Sequence, residues 1–233
     1  MNLNCMIVDD DPMSRGLVRN YIEKTDFLDL QFECEDALDA INKLQQKDAD
    51  IDIIYLDVEM PEMTGMEMIK SIDASLYEIV LVTSQQDYAV EAFESSVTDY
   101  MVKPFEYKRF LKATQKAKDR IDALNKKNQN LSEIYIKSDS KLIRLGMEDI
   151  LYIEALADYV IFMTEKGKHI VHHTMKGIEK RLPITTFMRV HRSFIINRNK
   201  IDMIEDFNVV IGKKYIPVGT SYKDRFFKSI TTL

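Results

Sequence analysis

The residues with the clearest capacity for chemistry in this 233-residue chain are aspartates that follow short apolar runs. Asp9, Asp10 and Asp11 come after one such run, and Asp57 comes after another. Carboxylates brought together repel each other unless a hard cation such as Mg²⁺ lies between them. A carboxylate can also attack a phosphoryl group and form an aspartyl phosphate. The pattern therefore predicts phosphoryl chemistry assisted by a divalent cation, with Asp57 as the candidate acceptor.

Two further polar positions also follow apolar runs. Thr83 and Ser84 come after Ile79–Val82, and Lys103 comes after Tyr100–Val102. In phosphoryl transfer, a lysine and a hydroxyl group can neutralise the charge that develops on the equatorial oxygens. Each residue alone is also a common helix cap or surface charge. Their combination, in this order along the chain, is what favours a phosphoryl site.

Alternating patterns in residues 1–122 predict the elements that bring these positions together. Strand-like runs alternate with helical patterns, which predicts a right-handed βαβ series around a parallel sheet. The carboxyl ends of such strands meet at one crevice. The predicted strands are Cys5–Val8, Leu30–Phe32, Ile51–Leu56, Ile79–Val82 and Tyr100–Val102. The predicted helices are Met13–Glu23, Ala37–Gln46, Gly65–Ile72 and Ala89–Glu94.

A change of pattern near residues 124–132 predicts a second domain. A helix after Pro104 loses its apolar face in the polar stretch 125–130. We predict domains at 1–122 and 133–233 joined by a linker at 123–132, the second domain being mainly β with short helices. Its predicted strands are Ile134–Lys137, Leu142–Leu145, Ile150–Ile153, Tyr159–Met163, His169–His172, Phe194–Ile196, Asn208–Ile211 and Tyr215–Val218. Its predicted helices are Met175–Leu182 and Tyr222–Ile230.

The charge changes sign at the same boundary. Residues 1–122 contain 13 Lys and Arg against 26 Asp and Glu, whereas residues 123–233 contain 19 against 12 and all four histidines. A basic domain is a candidate for nucleic-acid binding. No apolar run reaches the roughly 20 residues that a membrane helix needs, and two isolated cysteines suit a reducing compartment. We therefore expect a cytoplasmic protein without membrane insertion.

Four segments of the acidic half carry a family resemblance, namely Ile7–Pro12, Tyr55–Glu67, Leu81–Ser84 and Asp99–Phe105. Through these segments the acidic half resembles the receiver domain of bacterial two-component response regulators. The resemblance implies a doubly wound, five-stranded parallel sheet of flavodoxin-like order. It also implies that a histidine kinase phosphorylates Asp57 and that the protein forms a homodimer on activation.

The resemblance also implies a metal site. Asp10 and Asp57 would bind Mg²⁺ or Mn²⁺, with Asp9 assisting and the backbone carbonyl of Glu59 completing the protein ligands. A phosphatase of the haloacid-dehalogenase type likewise uses an aspartate and Mg²⁺. That class needs an acidic residue two positions after the nucleophile and then Gly-Thr, whereas Glu59 is followed by Met60-Pro61.

A switch is the third implication of the resemblance. Lys103 would contact the phosphoryl group, Thr83 would swing toward it, and the aromatic ring of Tyr100 would turn inward. The Lys103–Pro104 peptide bond matches one that is usually cis in the family. The fourth helix, fifth strand and fifth helix of the series would then form a changed surface for dimerisation, which raises DNA affinity by pairing two domains.

The stretch Arg189–Arg198 is the most informative part of the basic half, because it places three arginines and a histidine around an apolar strand. Arginine can bind guanine edges and phosphates. With Ile153–Val160, Phe187–Asn197 and Ile216–Tyr222, residues 133–233 resemble the LytTR DNA-binding domain. This family has an elongated β-rich fold that reads successive major grooves with loops.

The LytTR resemblance implies DNA contacts from three loops. The expected residues are Asp158 and Tyr159 in the first loop, Arg189, His191 and Arg192 in the second, and Thr220 and Lys223 in the third. Arg192 is the residue expected to contact a base. Family members often carry an arginine where this chain has Thr220, so for the third loop a contact to phosphate alone remains open.

Other functions remain as alternatives for the second half. An RNA-binding or protein-interaction module is one, although the paired aromatics of common RNA-reading sheets are missing. An enzymatic output domain would need a nucleophile–base pair or a ligand cluster, and we expect a regulator that is not an enzyme. His169, His172 and His173 suggest zinc, but a strand would place His169 and His172 on opposite faces.

Overall fold

A computed structural model describes residues 2–46, 49–85, 97–129, 131–138 and 141–230. The chain forms two compact units, Met1–Ala123 and Leu124–Leu233. The predicted helix Ala89–Glu94 lies outside the described residues. Among the helices that are described, none has both the length and the hydrophobicity that a bilayer crossing requires.

Unit 1, Met1–Ala123, is built on a parallel sheet. Its strands are β1 (Leu3–Val8), β2 (Leu28–Cys34), β3 (Ile53–Asp57), β4 (Glu78–Thr83) and β5 (Asp99–Val102). Its helices are α1 (Pro12–Glu23), α2 (Ala37–Leu44), α3 (Gly65–Ser71) and α4 (Tyr107–Gln129), with a 3₁₀ turn at Ala74–Leu76. The strand order β2-β1-β3-β4-β5, with parallel pairing throughout, confirms the predicted doubly wound fold.

Strand β3 shows why the central strands of unit 1 are nearly all apolar. All five of its residues are buried. Ile54 and Leu56 pack into the core on one face of the sheet, and Ile53 and Tyr55 pack into the core on the other. A strand covered on both faces has no solvent side on which to alternate polar residues. Its polar residue is therefore displaced to its carboxyl end, where Asp57 stands.

Helix caps fix the loops that follow β1 and β3. The side chain of Asp11 accepts hydrogen bonds from two backbone N–H groups in the first turn of α1, and Pro12 occupies the first helical position. Thr64 and Glu67 form a reciprocal capping box at the start of α3. Both loops therefore end in a defined helix start directly beside the strand ends.

Helix α4 continues through the boundary between the two units and ends at Gln129. Residues 123–129 of the predicted linker are accordingly helical. The predicted domain limits at residues 122 and 133 stay predictions.

Unit 2, Leu124–Leu233, is mainly β, as predicted. Its strands are β6 (Glu133–Ser138), β7 (Lys141–Gly146), β8 (Ile150–Leu156), β9 (Tyr159–Thr164), β10 (Gly167–His172), β11 (Phe187–His191), β12 (Phe194–Asn197), β13 (Met203–Glu205), β14 (Asn208–Ile211) and β15 (Lys214–Pro217). Its further helices are α5 (Met175–Glu179) and α6 (Lys223–Lys228), with 3₁₀ turns at Arg198–Lys200 and Thr220–Tyr222. The described strands pair as β10-β9-β8-β12-β11, β13-β14-β15 and β6-β7.

Two of these strands, β11 and β13, were not predicted as strands. In β11 the first four residues are all buried, including Arg189, so the strand shows no alternation of apolar and polar residues. In β13 all three residues are exposed, and the strand is defined only by its pairing with β14. In both strands the tertiary environment, and not the local pattern, determines the structure.

The buried side chain of Asn197 links separate segments of unit 2 through its hydrogen bonds. Its side chain is 1% exposed; Nδ2 donates to the carbonyls of Met147 at 3.2 Å and Ile150 at 2.8 Å, and Oδ1 accepts from the N–H of Asn199. Asn197→Ala leaves these buried groups without a partner, so we expect the free energy of unfolding of unit 2 to fall by about 3 kcal/mol. Hydrogen exchange of the full chain across a urea series measures each unit separately.

Asn199→Ala is the matched control, because the Asn199 side chain is exposed. It should change the stability by less than about 0.5 kcal/mol. Equal urea midpoints for the two variants would contradict the role given to Asn197.

Candidate functional site

The carboxyl ends of β1 and β3 bring three aspartates together. The carboxylate oxygens of Asp9, Asp10 and Asp57 all lie within 4.8 Å of one another. Asp9 is 2% exposed and Asp57 is 5% exposed, whereas Asp10 is exposed. The neighbouring positions of β1 and β3 in the sheet place these residues together. This is the arrangement that the sequence pattern predicted.

Lys103 closes the site from β5. Its Nζ donates to Asp9 Oδ2 at 2.7 Å and to Asp57 Oδ2 at 2.6 Å. Its backbone N–H donates to the carbonyl of Thr83 at 2.8 Å, and the Lys103–Pro104 peptide bond is cis, as the resemblance implied. Burial acts to lower the pKa of Lys103, but the two carboxylates outweigh it and raise that pKa. Lys103 is therefore a fixed positive charge between the buried aspartates.

The pKa of Asp57 is raised, chiefly because burial penalises its charged form. Hydrogen bonds from Lys103 and from the N–H of Glu59, the latter at 3.1 Å, partly offset this effect. The ionised carboxylate is thus less stabilised than it would be in water. Such a group gains stability when further positive charge approaches it.

The donor set suits a small divalent cation. Three carboxylates face one ammonium group, so the cluster keeps excess negative charge, and its ligand atoms are all oxygen. Hard cations such as Mg²⁺ and Mn²⁺ prefer these ligands. Asp9, Asp10 and Asp57 are the described residues that could hold such an ion.

The loop after β4 connects the site to Tyr100. Thr83 is fully buried, and its Oγ1 accepts a hydrogen bond from the N–H of Gln85 at 3.3 Å. The Gln85 side chain donates to the carboxylate of Glu59, and the backbone carbonyl of Gln85 accepts from the hydroxyl of half-buried Tyr100. The predicted acceptor loop, hydroxyl and aromatic residue are therefore connected through Gln85.

Two residues that support the site were not identified from the sequence. A Cβ atom on Gly65 would lie 2.1 Å from the carbonyl oxygen of Asp57, so only glycine lets α3 begin this close to the backbone of Asp57. Arg15 is buried, and its Nη1 donates to the carbonyls of Asp9 at 2.7 Å and Asp10 at 3.0 Å. The available signals were a glycine directly after a capping threonine and a basic residue on the buried face of α1.

Unit 2 brings the three predicted DNA-contact loops together. The β8–β9 turn and the β11–β12 turn lie at the same end of the sheet, where the N–H of Ala155 donates to the carbonyl of Ser193 at 2.9 Å. The third loop joins them, because the N–H of Gly219 donates to the carbonyl of Val190 at 2.8 Å. Loops distant in sequence therefore form one continuous edge.

Most of the predicted contact residues on this edge are accessible. The exposed ones are Asp158, Tyr159, Arg192 and Thr220. His191 is half-buried, with Nδ1 accepting from the N–H of Ser193 at 3.1 Å. Burial, and then the charges of Arg192 and Arg189, lower the pKa of His191. Because Nδ1 accepts from the N–H of Ser193, the proton of the neutral ring lies on Nε2.

Lys223 and Arg189 are placed differently from the rest. Lys223 is half-buried, with Nζ 3.9 Å from the centre of the Phe207 ring. Arg189 is 3% exposed, although the sequence suggested a side chain facing DNA. The reason is that both faces of β11 are covered at this position. Arg189 therefore lies behind the edge that carries Arg192.

Comparison with known proteins identifies both units. The family model "Response regulator receiver domain" matches residues 5–115, and the model "LytTr DNA-binding domain" matches residues 140–231. The "Sensory transduction protein LytT" of Bacillus cereus is 28% identical over 238 residues, covering 94% of this chain and 96% of its own. The "Transcriptional regulatory protein BtsR" of Salmonella typhimurium is 29% identical over 202 residues, covering 84% and 82%.

Solved structures resemble the two units separately. The response regulatory domain of protein mrkE from Klebsiella pneumoniae is 27% identical, with a TM-score of 0.47, and covers 51% of this chain and 97% of its own. A LytTr DNA-binding domain from Bacillus cereus is 26% identical, with a TM-score of 0.39, and covers 42% and 96%.

Gly65 and Gly16 form a matched pair of substitutions. Gly65→Ala forces the backbone of α3 or β3 to move, so we expect a loss of about 1–3 kcal/mol in the free energy of unfolding of unit 1. Gly16 lies inside α1, and its added Cβ would meet no atom within 4 Å, so Gly16→Ala should add about 0.5–1 kcal/mol. Urea denaturation of both variants measures whether each substitution lowers or raises the free energy of unfolding. Destabilisation of equal size would contradict the close approach at Asp57.

The raised pKa of Asp57 predicts a pH dependence. The folded state holds the carboxyl proton of Asp57 more tightly than the unfolded chain does. The contribution of Asp57 to the free energy of unfolding is therefore fully present below about pH 4 and is lost as pH rises through the raised pKa. Asp57→Asn removes this loss. The variant should therefore have a higher Tm than the wild type at neutral pH without divalent cations, and the difference should shrink as pH falls toward 4.

Asp99 supplies the control of opposite sign. Despite its partial burial, the hydrogen bond from Arg109 holds the pKa of Asp99 below its ordinary value. Asp99→Asn should therefore lower the Tm at neutral pH, and this difference too should shrink in acid. A lower Tm for Asp57→Asn at pH 7 would contradict the electrostatic description of the site.

Proposed function

This chain belongs to the response regulators that join a receiver domain to a LytTR DNA-binding domain, and on that basis we propose that phosphorylation of Asp57 controls its binding to DNA. The observation that carries the proposal is the bonding of Lys103 to two buried carboxylates at the ends of β1 and β3. The phosphoryl donor would be a sensor histidine kinase. The readout would be transcription from genes next to the bound duplex.

The chemistry at Asp57 follows from its surroundings. A carboxylate oxygen attacks the phosphorus atom of the phosphohistidine, the P–N bond breaks, and the released imidazole takes a proton from solvent. Lys103 would release one carboxylate and contact a phosphoryl oxygen. When bound, Mg²⁺ or Mn²⁺ supplies positive charge to the phosphoryl oxygens. Asp10 and Asp57 would hold it, with Asp9 and the Glu59 carbonyl.

Thr83 and Tyr100 would report the modification. The Oγ1 of Thr83 is bonded to the loop residue Gln85, whose carbonyl accepts from Tyr100. A phosphoryl oxygen would accept a hydrogen bond from the Thr83 hydroxyl and draw this side chain toward Asp57, and the loop and Tyr100 would then rearrange together. We propose that the resulting surface pairs two copies of the chain, which would raise the affinity for adjacent DNA sites.

DNA recognition is assigned to the common edge of unit 2. Arg192, exposed on the β11–β12 turn, would contact a base, and His191 would donate from Nε2 to an acceptor on DNA. The flanking loops would contribute Asp158, Tyr159, Thr220 and Lys223. In this scheme the receiver comprises residues 1–122, the linker 123–132 and the DNA-binding domain 133–233. The protein would act in the cytoplasm, where kinase and chromosome are both accessible.

One experiment tests the switch. The full chain is treated with acetyl phosphate and Mg²⁺, the acyl phosphate is mapped by borohydride reduction and mass spectrometry, and binding to duplexes selected from a random pool is measured. We expect modification at Asp57, tighter binding after modification, and an affinity that falls steeply with salt. Asp57→Asn should take no label and show no gain in affinity.

Asp36→Asn is the control, because Asp36 caps α2 outside the site and asparagine caps a helix equally well. It should be labelled like the wild type. A label on another residue, or labelling that survives Asp57→Asn, would contradict the assigned acceptor. Selection of RNA in preference to duplex DNA would overturn the assigned readout.

A further inference from the structure

Arg189 is a buried cation in unit 2 that the proposed DNA contacts leave without a role. Its side chain is 3% exposed. A charged side chain withdrawn from water is costly unless polar groups and opposite charges surround it. Its burial behind the DNA-contact edge therefore requires polar partners within unit 2.

The guanidinium group of Arg189 meets three separate elements. Its Nη2 donates to the backbone carbonyl of Arg192, in the β11–β12 turn, at 3.0 Å. Its Nη1 lies 3.5 Å from the carboxylate of Glu179, at the end of α5. Its central carbon lies 5.9 Å from the centre of the Tyr222 ring, in the third loop. One side chain thus links the second and third contact loops to a helix.

We propose that Arg189 is a positioning residue for DNA readout, which fixes the backbone of Arg192 so that the Arg192 side chain is presented to a base. This inference rests on the proposed function and deepens it. The planar guanidinium group can reach a carbonyl and a carboxylate in different directions at once, whereas a lysine ammonium group on a flexible stem cannot reproduce that geometry.

Glu179 is itself held in place. The next residue, Lys180, offers its carbonyl to Asn128 Nδ2 at 2.6 Å, and Thr174 caps the start of the same helix. The carboxylate that faces Arg189 therefore projects from a helix anchored at both ends. Through Arg189, the Arg192 carbonyl is therefore tied to a helix outside its own turn.

A positioning role and a phosphate contact make different predictions. An arginine that neutralises a phosphate contributes to every duplex, and its loss reduces the salt dependence of binding by about one unit of slope. An arginine that orients Arg192 contributes only where Arg192 finds its base. Its loss should therefore lower the preference for the selected duplex and leave the salt slope unchanged.

The test compares variants of the full chain on the duplex that the wild type selects from a random pool and on a scrambled duplex. We expect Arg189→Met to lose about 10-fold or more of the preference, with an unchanged salt slope. Arg189→Lys should not restore it. In the Arg192→Ala background, Arg189→Met should cause no further loss, because the two residues act through one contact.

Two additional variants keep the result interpretable. Glu179→Gln weakens the same arrangement without removing the arginine, and should give a smaller loss of preference with the same unchanged slope. Arg198→Met removes an arginine whose Nη2 donates to the Ser229 carbonyl at 2.8 Å, and should keep the preference within about twofold. Circular dichroism of each variant checks that it is folded.

Several results would overturn the inference. These are a salt slope reduced by about one unit in Arg189→Met, additive losses in the double variant, or an unchanged preference in Arg189→Met and Glu179→Gln. A wild-type chain that selects no duplex overturns the proposed function itself. Loss of preference in Arg198→Met equal to that in Arg189→Met would also overturn the specific role of Arg189.

Discussion

The interaction on which the receiver unit depends is the pair of hydrogen bonds from Lys103 to Asp9 and Asp57. Lys103 directly follows β5, Asp9 directly follows β1 and Asp57 ends β3, so one ammonium group joins the ends of three strands. Without it, two buried carboxylates would face each other in a medium that solvates charge poorly. Burial nevertheless raises the pKa of Asp57, which leaves the site short of positive charge. That shortage is what a divalent cation and a phosphoryl transfer would use.

Backbone contacts hold these side chains in place. The N–H of Lys103 is bonded to the carbonyl of Thr83, Arg15 holds the carbonyls of the loop after β1, and α3 begins against the backbone of Asp57 at Gly65. The carboxylates therefore have little freedom to move apart. A site built in this way is organised before any ligand arrives.

The residues predicted to act in the two units differ in their exposure to solvent. Unit 1 buries two aspartates, Asp9 and Asp57, at strand ends, whereas unit 2 exposes Asp158 and Arg192 on turns of an antiparallel sheet. The turn that carries Arg192 projects from two strands whose apolar side chains pack into cores on both faces. Arg189 is buried beneath this turn, although its position in the sequence predicts a side chain that faces DNA.

The sequence by itself determined the order of strands and helices in unit 1, the acidic and basic halves, and the polar residues at the strand ends. These features are readable because hydrophobic periodicity and helix caps are local properties of the chain. The tertiary structure alone decided which of these residues meet. Lys103 and Asp9 are 94 positions apart, and only the strand order places them at 2.7 Å.

Contacts between residues distant in sequence also explain why three features could not be predicted from the sequence. The need for glycine at position 65 arises from the backbone of Asp57, and the burial of Arg189 arises from elements that cover both faces of β11. Strand β13 exists because β14 offers it a partner. The local sequence pattern does not show which backbones approach each other closely or whether both faces of a strand are covered, because both depend on residues distant in sequence. The sequence thus determined which reactive residue types stand at the strand ends and turns, and packing decided which of these side chains are accessible.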